Sequence, residues 1–248
     1  MGFAGILRAE EFSGKIQKLI VIADPLKEFQ PGEKFDYKVN WMGIPIGTAS
    51  LHVKEIINRN GRDLYHVVAQ AKTTGFFSKI YFLDDVMQSY IDKQTLLPII
   101  YEEKIHEGKR KSEMAIEFNQ TNGVAIYKDK NGNITRQIEI RRGVLDPLSC
   151  FYAFRALKVE KSGSYKFVIN TDFKDWDVEV KVTDATALEI RKKGVFDTFV
   201  AEPKSELKNS ALARNKTFIY FTADEKRIPI FIKTLTRKGI ITANLQLP

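Results

Sequence analysis

From Phe35 onward, polar and apolar residues alternate with a period of two. Phe35, Tyr37, Val39 and Trp41 alternate with Asp36, Lys38 and Asn40, which places the aromatics on one face of a strand and the polar residues on the other. Glycine and proline interrupt at Met42-Gly43-Ile44-Pro45-Ile46-Gly47, predicting a bulge or tight connection there. Ala49, Leu51 and Val53 then alternate against Ser50 and His52 in a second strand. Asn-Gly pairs stand at Asn60-Gly61, Asn122-Gly123 and Asn131-Gly132, each able to supply the positive φ angles of a hairpin turn. The same pattern predicts strands over Tyr65–Lys72, Asp85–Ile91, Ile99–His106, Ser112–Phe118, Val124–Lys128 and Ile134–Ile140. A further series covers Tyr165–Asn170, Trp176–Thr183, Thr186–Arg191, Phe196–Glu202, Phe218–Thr222, Ile230–Thr236 and Ile240–Leu245.

The segment from Asp146 to Leu157 breaks this period. Asp146 suits an N-cap, because its carboxylate can accept from the free amides of a first turn. Pro147 fits the first helical position, where a missing N–H costs nothing. The following residues, Leu148-Ser149-Cys150-Phe151-Tyr152-Ala153-Phe154-Arg155-Ala156-Leu157, are apolar nearly all round, so the helix is expected to be buried on most sides. Many short strands with short turns and one buried helix predict a mainly β protein. Its expected form is a single curved antiparallel sheet or partly open β-barrel with one buried, inserted α-helix. Residues 29–248 read as a single domain, and residues 1–28 as an N-terminal tail or the product of a misplaced start.

Composition narrows the chemistry. The 248 residues carry a formal net charge of +8. Between Lys109 and Arg142 stand eight basic and four acidic residues, a concentration that would attract anions weakly. Aromatic–basic neighbours such as Tyr127-Lys128 are dispersed, which argues against a nucleic-acid stacking platform. One cysteine, Cys150, excludes an intrachain disulfide, and its place in the apolar helix makes it a small hydrophobe. His52, His66 and His106 lack the close spacing of metal ligands, and Asp129-Lys130-Asn131-Gly132-Asn133 lacks the glycine and glutamate a calcium loop needs. No cofactor, metal or catalytic residue is implied. Asp175 and Asp177, sharing a strand face around Trp176, keep a carboxylate-based hydrolase as a remote alternative. No apolar run approaches the roughly 18 residues of a membrane helix. Leu19-Ile20-Val21-Ile22-Ala23 is shorter than the roughly 7–15 residues of a signal-peptide core.

Several pieces in order resemble one bacterial family. They are Pro31-Gly32-Glu33-Lys34-Phe35-Asp36-Tyr37-Lys38-Val39 with Trp41, Gly43-Ile44, Gly47 and Ala49; Asp85 with Ser89, Ile91-Asp92, Thr95-Leu96 and Pro98; Asp146-Pro147-Leu148-Ser149 with Tyr152 and Arg155; and Thr222-Ala223-Asp224 with Arg227, Pro229-Ile230 and Gly239. From about residue 29 to the end, the chain resembles the family known only as domain of unknown function 3108. The resemblance implies a curved or partly open β-barrel with an inserted helix, somewhat like the lipoprotein carriers LolA and LolB. It also implies a periplasmic or cell-envelope location, while the N-terminal residues leave the cytoplasm open. No catalytic residues follow from it.

The expected role is therefore non-enzymatic. A concave β surface lined by Phe35, Tyr37 and Trp41, beside Phe151 and Tyr152 of the helix, is expected to hold an apolar or lipid-like ligand. The same aromatics equally read as core filling. The alternative is an envelope protein–protein interaction module that uses sheet edges or the basic Lys109–Arg142 region. Arg155, a cation on an apolar helix, is expected to need a carboxylate partner, with Asp224 as the candidate.

Overall fold

The structure, a computed structural model, describes residues 28–190, 194–205 and 215–246. Among these residues, fourteen strands form one antiparallel sheet. They are β1 (Lys34–Trp41), β2 (Ile44–Arg59), β3 (Arg62–Thr73), β4 (Asp84–Asp92), β5 (Pro98–Glu107), β6 (Arg110–Asn119), β7 (Val124–Asp129) and β8 (Ile134–Glu139). The second run is β9 (Ser164–Thr171), β10 (Lys174–Ile190), β11 (Gly194–Ser205), β12 (Lys216–Thr222), β13 (Pro229–Thr236) and β14 (Gly239–Leu245). A short helix α1 (Phe77–Ile80) lies between β3 and β4, and α2 (Pro147–Ala156) lies between β8 and β9.

Within each run sequence neighbours pair, and one long-range pairing joins the two runs: β1 lies against β14, with Tyr37 opposite Leu245 and Trp41 opposite Ile241. The sheet curls without pairing its edge strands β8 and β9. After β8 the chain makes a single parallel bridge to β9, Leu145 with Ile169. There the Leu145 amide donates to the Val168 carbonyl and the Asn170 amide to the Leu145 carbonyl, both at 2.8 Å. Across the seam the Tyr127 hydroxyl donates to Asn170 Oδ1 at 2.6 Å, and Arg141 Nη1 reaches Asp177 at 2.8 Å. The expected partly open, barrel-like sheet with an inserted helix is the fold observed.

Local chemistry accounts for its corners. Asn60 and Gly61 take φ angles of 54° and 78° between the paired Arg59 and Arg62, the two-residue hairpin that positive φ at both positions permits. The Asp129 carboxylate accepts from the amides of Asn131 and Asn133, both at 2.9 Å, and closes the turn before β8. The bulge predicted near Gly47 is present as a register shift between Val39 and Asn40. A Cβ on Gly47 would lie 2.2 Å from the Lys72 carbonyl oxygen, so only glycine fits.

Two expectations change. The strands predicted over Trp176–Thr183 and Thr186–Arg191 are one strand, β10, whose register slips between Thr183 and Thr186; Arg191 itself lies outside the described residues. A bulge keeps both segments in one ladder while breaking the alternation that sequence reading follows. Helix α1 was not expected. Of the N-terminal tail, only Glu28 is described, and it forms an ion pair with Lys93 at 3.2 Å.

Successive antiparallel connections fall at opposite ends of the barrel. One end, here the hairpin rim, gathers the β1–β2, β3–β4, β5–β6, β7–β8, β9–β10 and β13–β14 connections. The other, the helix rim, gathers β2–β3, β4–β5, β6–β7 and β12–β13.

Candidate functional site

Helix α2 begins inside the barrel and ends at the helix rim. Its start is a reciprocal cap: Asp146 Oδ1 accepts from the amides of Leu148 and Ser149 at 2.7 and 2.9 Å, and Ser149 Oγ accepts from the Asp146 amide at 2.8 Å. This satisfies donors that a buried helix start would otherwise leave unpaired. Ser89 of β4 donates to the second Asp146 oxygen at 2.6 Å, which fixes the helix start to the barrel wall. Burial pushes the Asp146 carboxyl up to about 6, against the lowering effect of these hydrogen bonds.

The helix is apolar all round because two cores enclose it. Leu148, Tyr152 and Ala156, four residues apart, pack with Val53, Tyr65, Val67, Ile91 and Ile116. Cys150, Ala153 and Phe154 pack with Phe167, Val178, Val180 and Phe221 on the other side. Phe151 is half-buried and touches both. Burial raises the Cys150 thiol well above its ordinary range, so it is a packing residue with no reactive thiolate.

At the helix C-terminus Arg155 is completely buried. Its Nη1 and Nη2 meet the two oxygens of Glu33 at 2.7 and 3.2 Å. Nε donates to the Arg227 carbonyl at 3.1 Å and Nη2 to the Lys226 carbonyl at 3.2 Å. The guanidinium carbon stands 5.0 to 5.4 Å from the ring centres of Phe35, Phe29 and Tyr152. Such stacking stabilises a desolvated cation. The expected pair with Asp224 is corrected here: the carboxylate partner is Glu33. Asp224 instead accepts from Thr222 Oγ1 at 2.6 Å and from the Lys226 and Arg227 amides at 3.1 and 3.2 Å. It shapes the turn whose carbonyls Arg155 uses.

The predicted aromatic surface divides accordingly. Phe35 and Tyr37 are buried; Phe35 and Tyr152 flank the Arg155 guanidinium, while Tyr37 donates to the Pro229 carbonyl at 2.7 Å. Trp41 lies at the hairpin rim, partly exposed, its indole N–H on the Lys238 carbonyl at 3.0 Å. The five candidates therefore share no single surface, because Phe35 and Tyr37 are buried in a cluster with Ile230 and Leu245 while Trp41 is exposed at the hairpin rim.

A different surface emerges from burial along the strands. Val53 of β2, Val67 of β3, Ile91 of β4 and Ile116 of β6 are fully buried, while Leu51, Ala69, Met87 and Met114 of the same strands are half-buried. Phe221 and Ile219 of β12 repeat the contrast, as do Leu245 and Ala243 of β14. In every case the half-buried member lies nearer the hairpin rim. The helix fills one end of the barrel, and toward the other end these inward apolar residues are only partly covered. Glu103 lies on the same face as Tyr101, and burial, with the charges of Asp172 and Asp85 adding to it, pushes its carboxyl up.

Asp175 and Asp177 hold the seam together. Asp175 accepts from Asn170 Nδ2 at 2.6 Å and from the Arg141 amide, and Asp177 pairs with the Arg141 guanidinium. Among the described residues no three His, Cys, Asp or Glu side chains gather as a metal ion would require. Among them, too, no helix is long and apolar enough to cross a membrane. Sequence reading missed Glu33, Met87, Met114 and the rim residues Phe76 to Phe82. The non-alternating run Phe76-Phe77-Ser78-Lys79-Ile80-Tyr81-Phe82 was the one local signal.

The sequence profile of a family described as "Protein of unknown function (DUF3108)" matches residues 36–246. No curated protein matches the chain. Among solved structures, a β-barrel-like protein of domain of unknown function DUF1849 from Brucella abortus superposes with a TM-score of 0.56 at 9% identity, covering 86% of this chain and 94% of that one. At that identity the likeness is one of fold.

Proposed function

Because the chain belongs to the DUF3108 family, whose name carries no activity, we propose from the geometry that it is a non-catalytic binding protein. It takes an apolar, lipid-like chain into a cup at the hairpin rim. The observation that carries this reading is the burial contrast, in which the inward apolar residues of β2, β3, β4, β6, β12 and β14 lose cover toward that rim. Concave, mostly apolar surfaces with few polar groups suit acyl chains. Met87 and Met114 in the lining are side chains that adapt to irregular guests. A binding role also fits the acids: Asp146 caps a buried helix, and Asp175 and Asp177 are engaged by Asn170 and Arg141. A cell-envelope location is carried over from the family resemblance.

The test is titration of a fluorescent fatty-acid probe into wild type and Ala69→Trp, which would fill the cup. Saturable binding by wild type, lost in Ala69→Trp, supports the reading. No saturable binding by wild type, or undiminished binding by the variant, overturns it.

A further inference from the structure

Large apolar side chains are exposed together along the hairpin rim. Phe76 is 70% exposed, Ile80 63% and Met42 59%, and Trp41, Ile44, Tyr81, Phe82 and Ile240 join them as exposed apolar groups. They lie on connections that touch in series. The Met42 amide donates to the Ile240 carbonyl at 2.8 Å, the Thr74 amide to the Ile46 carbonyl at 3.0 Å, and the Gly108 amide to the Phe82 carbonyl at 2.7 Å. The β13–β14, β1–β2, β3–β4 and β5–β6 connections therefore form one continuous edge. A contiguous exposed apolar patch of this kind marks an interaction surface.

The charges beside it select the partner. Arg237 and Lys238 flank Trp41 and Ile240; Lys79 lies within α1; Lys109 and Arg110 stand beside Phe82, and all five are exposed. Three acids stand on the same edge against these five bases, so positive charge is in excess. Glu107 pairs with Arg110 at 3.9 Å, Asp84 accepts from Gln70 Nε2 at 3.2 Å, and Asp85 is buried, accepting the His106 amide at 2.9 Å. Aromatic and aliphatic tips surrounded by cations form the chemical complement of an anionic bilayer surface. The tips enter the acyl boundary while the bases meet the headgroups. Trp and Tyr are the side chains favoured at that depth.

We infer that the hairpin rim docks onto the surface of an anionic lipid bilayer. Phe76, Ile80 and Met42 insert, Trp41 sits at the headgroup level, and Lys79 and Lys238 bind the lipid charges. This inference rests on the cup reading, since the docked rim is the mouth of the cup and would bring it against its source of acyl chains.

Vesicle flotation tests it, with full-length protein mixed with phosphatidylcholine alone or with added phosphatidylglycerol. Wild type is expected to float with the anionic vesicles and to leave them at high salt. Brominated lipid should quench the fluorescence lost on Trp41→Phe. Phe76→Ser with Ile80→Ser, and separately Lys79→Glu with Lys238→Glu, should each weaken binding roughly tenfold or more. All four positions are exposed, so the fatty-acid probe should still bind these variants, which checks the fold. Equal partition onto neutral vesicles, no partition at all, or wild-type binding by the Ser variant overturns the docking. Probe binding without vesicle binding removes the docking and leaves the cup; vesicle binding without probe binding removes the cup.

Discussion

Glu33 and Arg155 form a two-pronged ion pair across 122 residues, with contacts of 2.7 and 3.2 Å. One partner lies in the turn before β1 and the other in the last turn of α2. The pair ties the start of the described chain over the end of the helix, and Arg227 completes the lock by donating to the Arg155 carbonyl at 2.8 Å. A cation this deeply buried costs too much to leave alone, so the pair fixes where the helix ends.

Glu33→Gln strands that cation and should destabilise the protein by about 3–5 kcal/mol. Arg155→Met should also destabilise. Combined, the two changes should cost less than their sum by about 2 kcal/mol or more, as measured by urea unfolding. Asp224→Asn should couple to Arg155 more weakly, because its link runs through the turn. Additive losses for Glu33 and Arg155 would count against the pair.

Asp146 confers a pH dependence of unusual sign. Its carboxyl titrates at about 6 in the folded protein against an ordinary 3.8, so between those values the native state binds the proton and the unfolded chain does not. Its contribution is fully present below 3.8 and is lost as pH rises through about 6. The loss amounts to about 3 kcal/mol. Asp146→Asn keeps an acceptor for the Leu148 and Ser149 amides and removes the titration. The difference in unfolding free energy between wild type and variant should therefore shift by that amount between pH values below and above this window. A constant difference would show that Asp146 titrates normally.

Gly47 is a test of packing. A methyl group there would meet the Lys72 carbonyl at 2.2 Å, so β2 and β3 would have to part at the bulge. Gly47→Ala should cost about 1–3 kcal/mol. Gly132→Ala, with nothing within 4 Å of its added Cβ but a φ of 81°, should act through backbone strain alone. Amide exchange separates the two: loss of protection around Thr73 is expected for the first variant only.

The strand ladder was legible because alternation such as Phe35, Tyr37 and Val39 has one structural meaning, and Asn60-Gly61 leaves few other turns open. The helix was legible from Asp146-Pro147 and the apolar residues after them. Glu33 was not, since its partner is 122 residues away and no local pattern joins them. Asp224 looked as suitable because a carboxylate that caps a turn and one that pairs with a cation read alike in sequence. The cup was hidden for a related reason. Val67 and Ala69 are equivalent inward positions on β3 until α2 is placed, and only its length decides which one stays covered.

Reactivity of a thiol placed in the cup wall tests the central claim most directly. Cys150 is buried with its thiol held protonated, so native wild type should react with maleimide only on unfolding. In Met114→Cys the new thiol should react quickly in the native protein and be protected by a bound fatty acid. In Ile116→Cys, two residues deeper on the same face, it should stay silent. If position 114 reacts as slowly as position 116, or reacts at the same rate with and without the lipid, the cup is closed or empty of function and the account fails.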